Sequence, residues 1–261
     1  MSGLGVEDVA AARAAVVEAG RIALRWYRRP HASWEKGPGQ LVTEADLAVD
    51  HHLREALTRL LPEAGWLSEE TADDGSRLTR RQVWVVDPID GTRSFAAGKP
   101  EFTICVALVD AGRPVLGVVL NPATGELFEA RHDGGARLDG RPIHVRDPAG
   151  IVGARIGISS TERHREALAA ALPGAVPTTI GSLAYKLVLI AAGRLDGYVS
   201  RRKAHDWDIA AAELILAEAG AVLTDAAGRP IAYGQTEPWR QGLIAAGPGL
   251  HRALVERLAA A

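Results

Sequence analysis

Two aspartates three positions apart follow the apolar run Val83–Val86, in the stretch VWVVDPIDGT. The run is rich in β-branched and aromatic residues, so it predicts a strand that ends at Asp87. The proline after it disfavours a helical conformation at Asp87, and Gly91 permits backbone geometries that other residues avoid. Only a curled turn could bring Asp87 and Asp90 together, because side chains three apart in a straight strand point to opposite faces. Two carboxylates in one turn repel each other unless a cation lies between them, and their hard oxygens favour Mg²⁺.

Both aspartates also have a structural interpretation. Asp87 would then form the turn, and Asp90 would cap a short helix that follows it. The stretch alone leaves metal binding and turn formation equally open, so acidic residues elsewhere in the chain must decide between them.

Two segments upstream carry further acidic residues. Glu69 and Glu70 follow an apolar stretch in LSEETADD, a position typical of a strand end or a solvated loop. Asp46 stands three residues after Thr43 in LVTEAD, which is the spacing of a capping box at a helix start. Local structure explains each of these segments by itself, and each is also a possible source of a metal ligand.

A fourth acidic segment, HDWDIAAAELILAEAG, places Asp206 and Asp208 in the first turn of an apolar helix. The helix dipole favours acidic residues at that end. A carboxylate at the head of so apolar a helix is nevertheless costly unless it has a partner. Four acidic turns from separate parts of the chain are the set of residues that a phosphate site with several metal ions requires.

The composition narrows the function classes. The chain of 261 residues is 47% hydrophobic and 24% charged, which excludes a disordered protein, and its net charge of −2 predicts no affinity for nucleic acid polymers or anionic membranes. The single cysteine, Cys105, excludes a disulfide framework and a cysteine-based zinc site, and its apolar surroundings predict a buried side chain. No apolar run approaches the roughly 20 residues of a membrane span, and the N-terminus lacks a signal-peptide pattern. We therefore expect a soluble, cytoplasmic protein.

Changes in periodicity divide the chain into two α/β halves, residues 1–150 and 151–261. Closely spaced strands between residues 84 and 145 predict a mostly antiparallel sheet in the first half. The second half alternates strands with apolar helices. Helices are predicted at 6–29, 43–61 (burying Leu47, Leu53, Leu57 and Leu60), 166–172, 182–193, 206–220 and from 251 onward, further strands at 154–160, 195–200, 221–233 and 242–247, and a loop at 31–40.

The acidic segments together resemble a known family. WVVDPIDGTRSF and HDWDIAAAELILAEAGA are similar to the two signature motifs of the inositol monophosphatase family, and LVTEAD and SEE match in order and spacing, over about residues 36–234. The resemblance implies an α/β (α+β) fold, a layered αβαβα sandwich of the inositol monophosphatase and fructose-1,6-bisphosphatase type. It also implies a Mg²⁺-dependent, lithium-sensitive phosphomonoesterase of small metabolites, and a homodimer.

The resemblance implies a site with two or three Mg²⁺ ions. The first ion would be held by Glu69, Asp87 and the main-chain carbonyl of Ile89. The second ion would be held by Asp87, Asp90 and Asp208. Such ions activate the attacking water and stabilise the leaving oxygen, so that no protein nucleophile is needed.

The resemblance also implies which residues act on water and phosphate. A third, weaker ion would lie near Asp46 and Glu69 and bind through water. Thr92 would orient the attacking water with Glu69 nearby, so Glu69, Thr92 and Asp46 are the expected catalytic residues. Asp90 and the amides of Gly91 and Thr92 would contact the phosphoryl group.

The remainder of the substrate would contact the segment GSLAYK, through Gly181, Ser182 and Leu183. Family members that act on inositol phosphates usually carry an acid several residues before the Trp-Asp pair, whereas this chain has the basic stretch Arg201–Lys203. A guanidinium cannot accept hydrogen bonds from hydroxyls but suits a second anionic group. The stretch therefore modestly favours a bisphosphorylated nucleotide such as 3′-phosphoadenosine 5′-phosphate over inositol monophosphate, with Arg201 as the expected contact. A solvated loop or a subunit contact explains the same stretch equally well.

Other functions within the family stay open. Histidinol phosphate and fructose 1,6-bisphosphate are alternative substrates, and a catalytically silent, metal-binding regulatory protein would keep the same fold. The regulatory protein is disfavoured because every acidic position and the Thr92 hydroxyl are present.

Overall fold

The computed structural model describes residues 5–37, 40–158 and 171–259. The first half contains two long helices, a β-hairpin and a seven-stranded sheet. In chain order its elements are α1 (Val6–Leu24), β1 (Ser33–Gly37), β2 (Gln40–Thr43), α2 (Glu44–Leu60), β3 (Gly65–Ser68), a 3₁₀ turn (Ser76–Thr79), β4 (Gln82–Asp90), α3 (Thr92–Ala96), β5 (Thr103–Asp110), β6 (Arg113–Asn121), β7 (Glu126–Arg131), β8 (Ala136–Leu138) and β9 (Arg141–Pro142).

The second half contains a five-stranded sheet and, within its described residues, three helices. Its elements are β10 (Arg155–Ile158), β11 (Val176–Thr179), α4 (Leu183–Ala191), β12 (Gly197–His205), α5 (Asp206–Glu218), β13 (Val222–Asp225), β14 (Trp239–Ala246) and α6 (Pro248–Ala259).

The seven-stranded sheet has the order β3-β4-β5-β6-β7-β8-β9. Strand β3 is parallel to β4, and the other neighbouring pairs are antiparallel, as the closely spaced strands predicted. Side chains of β4 alternate between two cores: Trp84 and Val86 pack with α1 and α2, whereas Val83 and Val85 pack with α4 and α5. Burial on both faces explains why this strand is apolar without interruption.

The five-stranded sheet has the order β11-β10-β12-β14-β13. One face contributes Leu243 and Ala245 to the core around α4 and α5, and the other contributes Ile244 and Ala246 to the core under α6. The layers are therefore α1 with α2, the seven-stranded sheet, α4 with α5, the five-stranded sheet, and α6. This confirms the predicted αβαβα sandwich. The division at residue 150 stays a prediction, and side chains of both halves share the core around α4 and α5.

Two stretches near the N-terminus differ from the sequence predictions. Helix α1 ends at Leu24 rather than at residue 29, because the chain enters turns in which Arg28 has a φ of 58°. The loop predicted at 31–40 contains β1 and the start of β2, which pair as a hairpin. The residues of β1 are mostly exposed, so their sequence carries no apolar period that could reveal the strand.

The helices also differ in detail. Leu53 and Leu57 of α2 are buried as predicted, but Leu47 is 43% exposed and Leu60 is only partly buried. Helix α6 begins at Pro248, ahead of the predicted start, because proline is favourable in the first turn of a helix. None of the described helices is both long and apolar enough to cross a membrane.

In the second half, β12 extends the strand predicted at 195–200 as far as His205. The strand pair predicted at 221–233 is instead β13 with a single bridge between Thr224 and Pro230, because β13 pairs along its length with β14. The helix predicted at 166–172 lies almost entirely outside the described residues.

Candidate active site

Parallel pairing of β3 and β4 places two of the predicted metal ligands at one edge of the sheet. Ser68 pairs with Val86, and the amide of Glu69 donates a hydrogen bond of 3.3 Å to the Val86 carbonyl. Glu69, just after β3, and Asp87, the next residue of β4, therefore lie side by side at this edge.

The curl that the sequence required between Asp87 and Asp90 is a β-bulge. Asp87 pairs with Cys105, and Asp90 pairs with Thr103. Between these two pairs, β4 contains one residue more than β5, and the extra residue makes the strand bulge. The alternative role of Asp90 as a helix cap is wrong, because the residue that caps α3 is Gly91. The Asp90 Oδ2 atom instead accepts hydrogen bonds from the Ser182 hydroxyl (2.5 Å) and the Ala184 amide (2.6 Å).

Helix α5 supplies the third acidic side chain, Asp208, from its first turn. The amide of His205 donates a hydrogen bond of 2.7 Å to Asp208 Oδ2, which fixes the side chain against the start of the helix. One carboxylate oxygen each of Glu69, Asp87 and Asp208 lie within 4.8 Å of one another.

Burial and mutual repulsion dominate the electrostatics of this carboxylate cluster (Glu69, Asp87 and Asp208). Asp87 is 1% exposed, and neither of its carboxylate oxygens has a hydrogen-bond partner among the described residues. Burial raises the pKa of Asp87 well above its usual range, and the charges of Glu69 and Asp90 add to the shift. Burial and then the charge of Asp208 raise the pKa of Glu69 to about 8.

The residues present fit a divalent cation. A buried carboxylate without a partner is costly, and a cation bound between the three side chains removes that cost. All the donors are oxygens, which is the ligand set that Mg²⁺ prefers. Asp90 lines the same cavity as the cluster. Burial and then the charge of Asp208 raise its pKa to about 6.

Asp46 combines the predicted cap with a contact inside the site. Its Oδ2 atom accepts hydrogen bonds from the amide (2.8 Å) and hydroxyl (2.5 Å) of Thr43, which completes the capping box of α2. Its Oδ1 atom lies 3.2 Å from Thr92 Oγ1, and this hydroxyl is also 3.0 Å from the carbonyl oxygen of Ile89. Helix capping therefore uses only the Oδ2 atom of Asp46, and the Oδ1 atom is directed at Thr92 in the site.

Gly91 occupies a position that no other residue fits. Its φ is 93°, and a Cβ atom there would lie 2.8 Å from the carbonyl oxygen of Glu101. The glycine therefore allows the chain to turn sharply from Asp90 into α3, which places Thr92 beside the cluster.

The cluster lies in an open cavity of about 520 Å³ that also has basic walls. Lys36 of the β1–β2 hairpin is one of the basic residues that line the cavity. Its Nζ atom lies 3.4 Å from Glu69 Oε1 and 2.6 Å from Glu70 Oε1. Arg93 and Arg202 line the same cavity. Phosphate is an anion, so these cations match the substrate class that the acidic motifs predict.

The residues predicted to contact the substrate divide into two groups. Gly181 lines the cavity, and Ser182 is buried behind it on Asp90. Leu183 packs against the core around α4 and α5 and is absent from the cavity lining. Within the basic stretch Arg201–Lys203, Arg202 lines the cavity, whereas Arg201 is exposed and is not among the lining residues. The contact of Arg201 with substrate stays a prediction.

The position of Arg202 was hidden by a register shift in β12 between Ser200 and Lys203. Sequence reasoning also missed His205 and Trp207, which line the cavity with their rings stacked 4.5 Å apart at 4°. Both residues belong to the HDWD motif that also carries Asp208, and this was the available signal.

Asp206, the other acidic residue of the HDWD motif, turns away from the cluster. It forms an ion pair with Arg240, with 2.5 Å between Asp206 Oδ1 and the guanidinium. Residues two apart on a helix point in nearly opposite directions, so Asp206 and Asp208 have different partners although they share a motif.

The sequence model of the inositol monophosphatase family matches residues 6–261. The chain belongs to this family of phosphomonoester hydrolases. An inositol-1-monophosphatase of Rhizobium meliloti is 38% identical over 210 residues, which are 76% of this chain and 78% of the relative. The 3′(2′),5′-bisphosphate nucleotidase CysQ of Aggregatibacter actinomycetemcomitans is 34% identical over 81% of this chain and 82% of its own length.

Solved structures show the same fold. The inositol monophosphatase of Thermotoga maritima superposes with a TM-score of 0.84 at 26% identity, covering 95% of this chain and 94% of that one. The suppressor protein SuhB of Bartonella henselae gives a TM-score of 0.84 at 27% identity, with coverage of 97% and 98%.

Proposed function

We propose that Glu69, Asp87 and Asp208 bind Mg²⁺ and that the protein uses water to hydrolyse a phosphate monoester with a second anionic group. The observation that carries the proposal is the meeting of these three carboxylates within 4.8 Å, with both oxygens of Asp87 unpartnered among the described residues. When bound, Mg²⁺ activates water and stabilises the charge of the phosphoryl group and the leaving oxygen. Asp90 and the carbonyl of Ile89 complete the set of residues that would hold two or three ions.

The surrounding residues have complementary tasks. Thr92 positions the attacking water through its hydroxyl, and Asp46 orients that hydroxyl from 3.2 Å. Lys36 offsets the acidic charge at the entrance of the cavity. The water oxygen forms a bond to phosphorus and gives up a proton, and the bond to the leaving oxygen breaks. The released alkoxide takes up a proton, so the products are the alcohol and inorganic phosphate.

The walls of the cavity support a nucleotide carrying two phosphates, of the 3′-phosphoadenosine 5′-phosphate type. Arg202 suits a second phosphate, since a guanidinium binds such groups in a bidentate manner. The stacked pair of His205 and Trp207 offers a flat aromatic surface against which a base can lie. The CysQ relative is named for such a substrate.

Inositol monophosphate is the second candidate, because the 38% identical relative is an inositol-1-monophosphatase. Histidinol phosphate and fructose 1,6-bisphosphate remain to be tested, and the homodimer and the cytoplasmic location stay predictions. The test measures kcat/KM for phosphate release from inositol 1-phosphate, histidinol phosphate, fructose 1,6-bisphosphate and 3′-phosphoadenosine 5′-phosphate, all at the same Mg²⁺ concentration. The proposal expects the nucleotide to be the best substrate. A preference for inositol 1-phosphate would overturn the assignment of Arg202, and no release from any compound would favour a silent metal-binding protein.

A further inference from the structure

The segment 232–239 is held by two arginines with buried side chains from opposite parts of the chain. Arg77, the second residue of the 3₁₀ turn, donates from Nη2 to the carbonyl of Gln235 at 3.0 Å. Arg240, the second residue of β14, donates to the carbonyls of Ala232 (2.7 Å) and Trp239 (2.9 Å). The side chains of Arg77 and Arg240 are 1% and 11% exposed, so both charges must be compensated inside the protein.

The same segment holds the start of α5. The amide of Asp206 donates a hydrogen bond of 2.9 Å to the carbonyl of Pro238, and its carboxylate pairs with Arg240 at 2.5 Å. The side chain of Asp206 is 1% exposed. The first residue of α5 is therefore fixed by its backbone and by a buried ion pair, two residues before Asp208.

Arg77 also contacts the connection that follows β3, the strand just before Glu69. Arg77 follows Glu69 by eight residues, and its guanidinium forms an ion pair of 2.8 Å with Asp73 in the connection between them. Arg77 thus links the connection after β3 to the segment 232–239, which in turn is linked by Arg240 to α5.

Glu69 and Asp208 come from different halves of the chain, and in the proposed site both bind Mg²⁺ beside Asp87. We propose that Arg77, Arg240 and Asp206 form a positioning network, which sets the separation of Glu69 and Asp208 and thereby the affinity of the cluster for Mg²⁺. Arg77, Arg240 and Asp206 are not among the residues that would bind the cation, which are Glu69, Asp87 and Asp208. The inference rests on the proposed metal site but assigns residues whose role is only to place its ligands.

The geometry of Mg²⁺ makes this role measurable. The ion requires near-ideal octahedral coordination at about 2.0–2.1 Å, so small displacements of a ligand weaken binding. Residues that orient metal ligands through hydrogen bonds typically change metal affinity by about 10–100-fold when they are substituted.

The test is isothermal titration of the metal-free protein with Mg²⁺, well below the unfolding temperature. Arg240→Lys and Arg77→Lys keep the positive charge but remove the planar guanidinium and its several hydrogen-bond donors. Asp206→Asn keeps the size of the side chain but removes its negative charge. The matched control is Arg155→Lys, which alters another ion pair of the second half, with 3.0 Å between Arg155 Nε and Asp196 Oδ2. Neither residue of that pair lines the cavity.

The network predicts that Arg240→Lys, Asp206→Asn and Arg77→Lys each raise the Kd for Mg²⁺ about tenfold. Arg155→Lys is expected to change it less than about twofold, even if all four variants lose similar stability in urea. Wild-type affinity in the network variants, or equal weakening in Arg155→Lys, would overturn the positioning role. A wild-type protein that binds no Mg²⁺ would overturn the proposed function itself, so the two failures are distinguishable.

Discussion

The hydroxyl of Ser182 lies 2.5 Å from Asp90 Oδ2 and joins the second half of the protein to the bulge of β4. Ser182 is also the N-cap of α4, where its oxygen accepts a hydrogen bond of 2.9 Å from the Tyr185 amide. One buried side chain thus caps the start of a helix and orients a carboxylate of the candidate site.

Substitution of Ser182 by alanine is expected to affect both stability and metal use. Loss of a cap and of a hydrogen bond to a charged group lowers the free energy of unfolding by about 1–3 kcal/mol. Thr224→Val is the control, because it removes another buried hydroxyl, 2.9 Å from His251 Nε2 and outside the cavity lining. Urea unfolding should show losses in both variants, whereas only Ser182→Ala should need more Mg²⁺ for half-maximal activity. Identical Mg²⁺ curves would contradict this coupling.

The metal-free protein is expected to lose stability as the pH rises. Burial and then Asp208 raise the pKa of Glu69 to about 8, and burial raises that of Asp46 to about 6, although hydrogen bonds from Thr43 oppose the second shift. Because these folded pKa values exceed those of the unfolded chain, the folded protein binds more protons between about pH 5 and 8. The free energy of unfolding therefore falls across this window, and Mg²⁺ restores it.

Comparison with Glu69→Gln isolates this effect from other titrating groups. Thermal unfolding in EDTA should show that the wild type loses at least about 1 kcal/mol more than the variant from pH 5 to 8, since one pKa unit is equivalent to 1.36 kcal/mol. Parallel pH profiles of the two proteins would mean that Glu69 is not the group responsible.

Thr92 is expected to act on water rather than on stability. Thr92→Val removes the hydroxyl that lies 3.2 Å from Asp46 Oδ1, and kcat should fall at least about 100-fold, the usual range for loss of an oriented proton-transfer group. Thr92→Ser retains the hydroxyl and should retain most of the activity. If Thr92→Val has nearly wild-type kcat at saturating Mg²⁺, the hydroxyl has no part in the reaction.

Two neighbouring arginines provide an internal test of the substrate. Arg202 lines the cavity and Arg201 does not. Arg202→Ala should raise KM for 3′-phosphoadenosine 5′-phosphate by about 10–100-fold, the range expected for a lost charged hydrogen bond, but not KM for adenosine 3′-monophosphate. Arg201→Ala should leave both within about twofold. Equal effects of the two substitutions would show that the second phosphate binds elsewhere.

The acidic motifs made much of the site predictable from sequence. Asp87 follows an uninterrupted apolar run and Asp208 lies at the head of an apolar helix. Local structure can explain each residue alone, but the joint match of their motifs to one family made a metal site predictable. Their meeting with Glu69 then depends on parallel pairing of β3 with β4, which no local pattern contains.

Features set by register were not predictable in the same way. The pairing of β12 with β14 shifts its register between Ser200 and Lys203. A register shift changes the face of the strand on which each following side chain lies, and here Arg202 rather than Arg201 lines the cavity. The β1–β2 hairpin was also missed, because its strands are short and mostly exposed. Lys36 reaches Glu70 only through that hairpin.

The most direct test of the central claim is phosphate release by the wild type and by Asp87→Asn, each in EDTA and in saturating Mg²⁺. Asp87 is buried without a hydrogen-bond partner among the described residues, so asparagine keeps its shape while removing the charge that a cation requires. The account predicts that Mg²⁺ restores release by the wild type, and that the folded variant is slower by about a thousandfold, equivalent to about 4 kcal/mol. Release that persists in EDTA, or equal rates for both proteins, would contradict it.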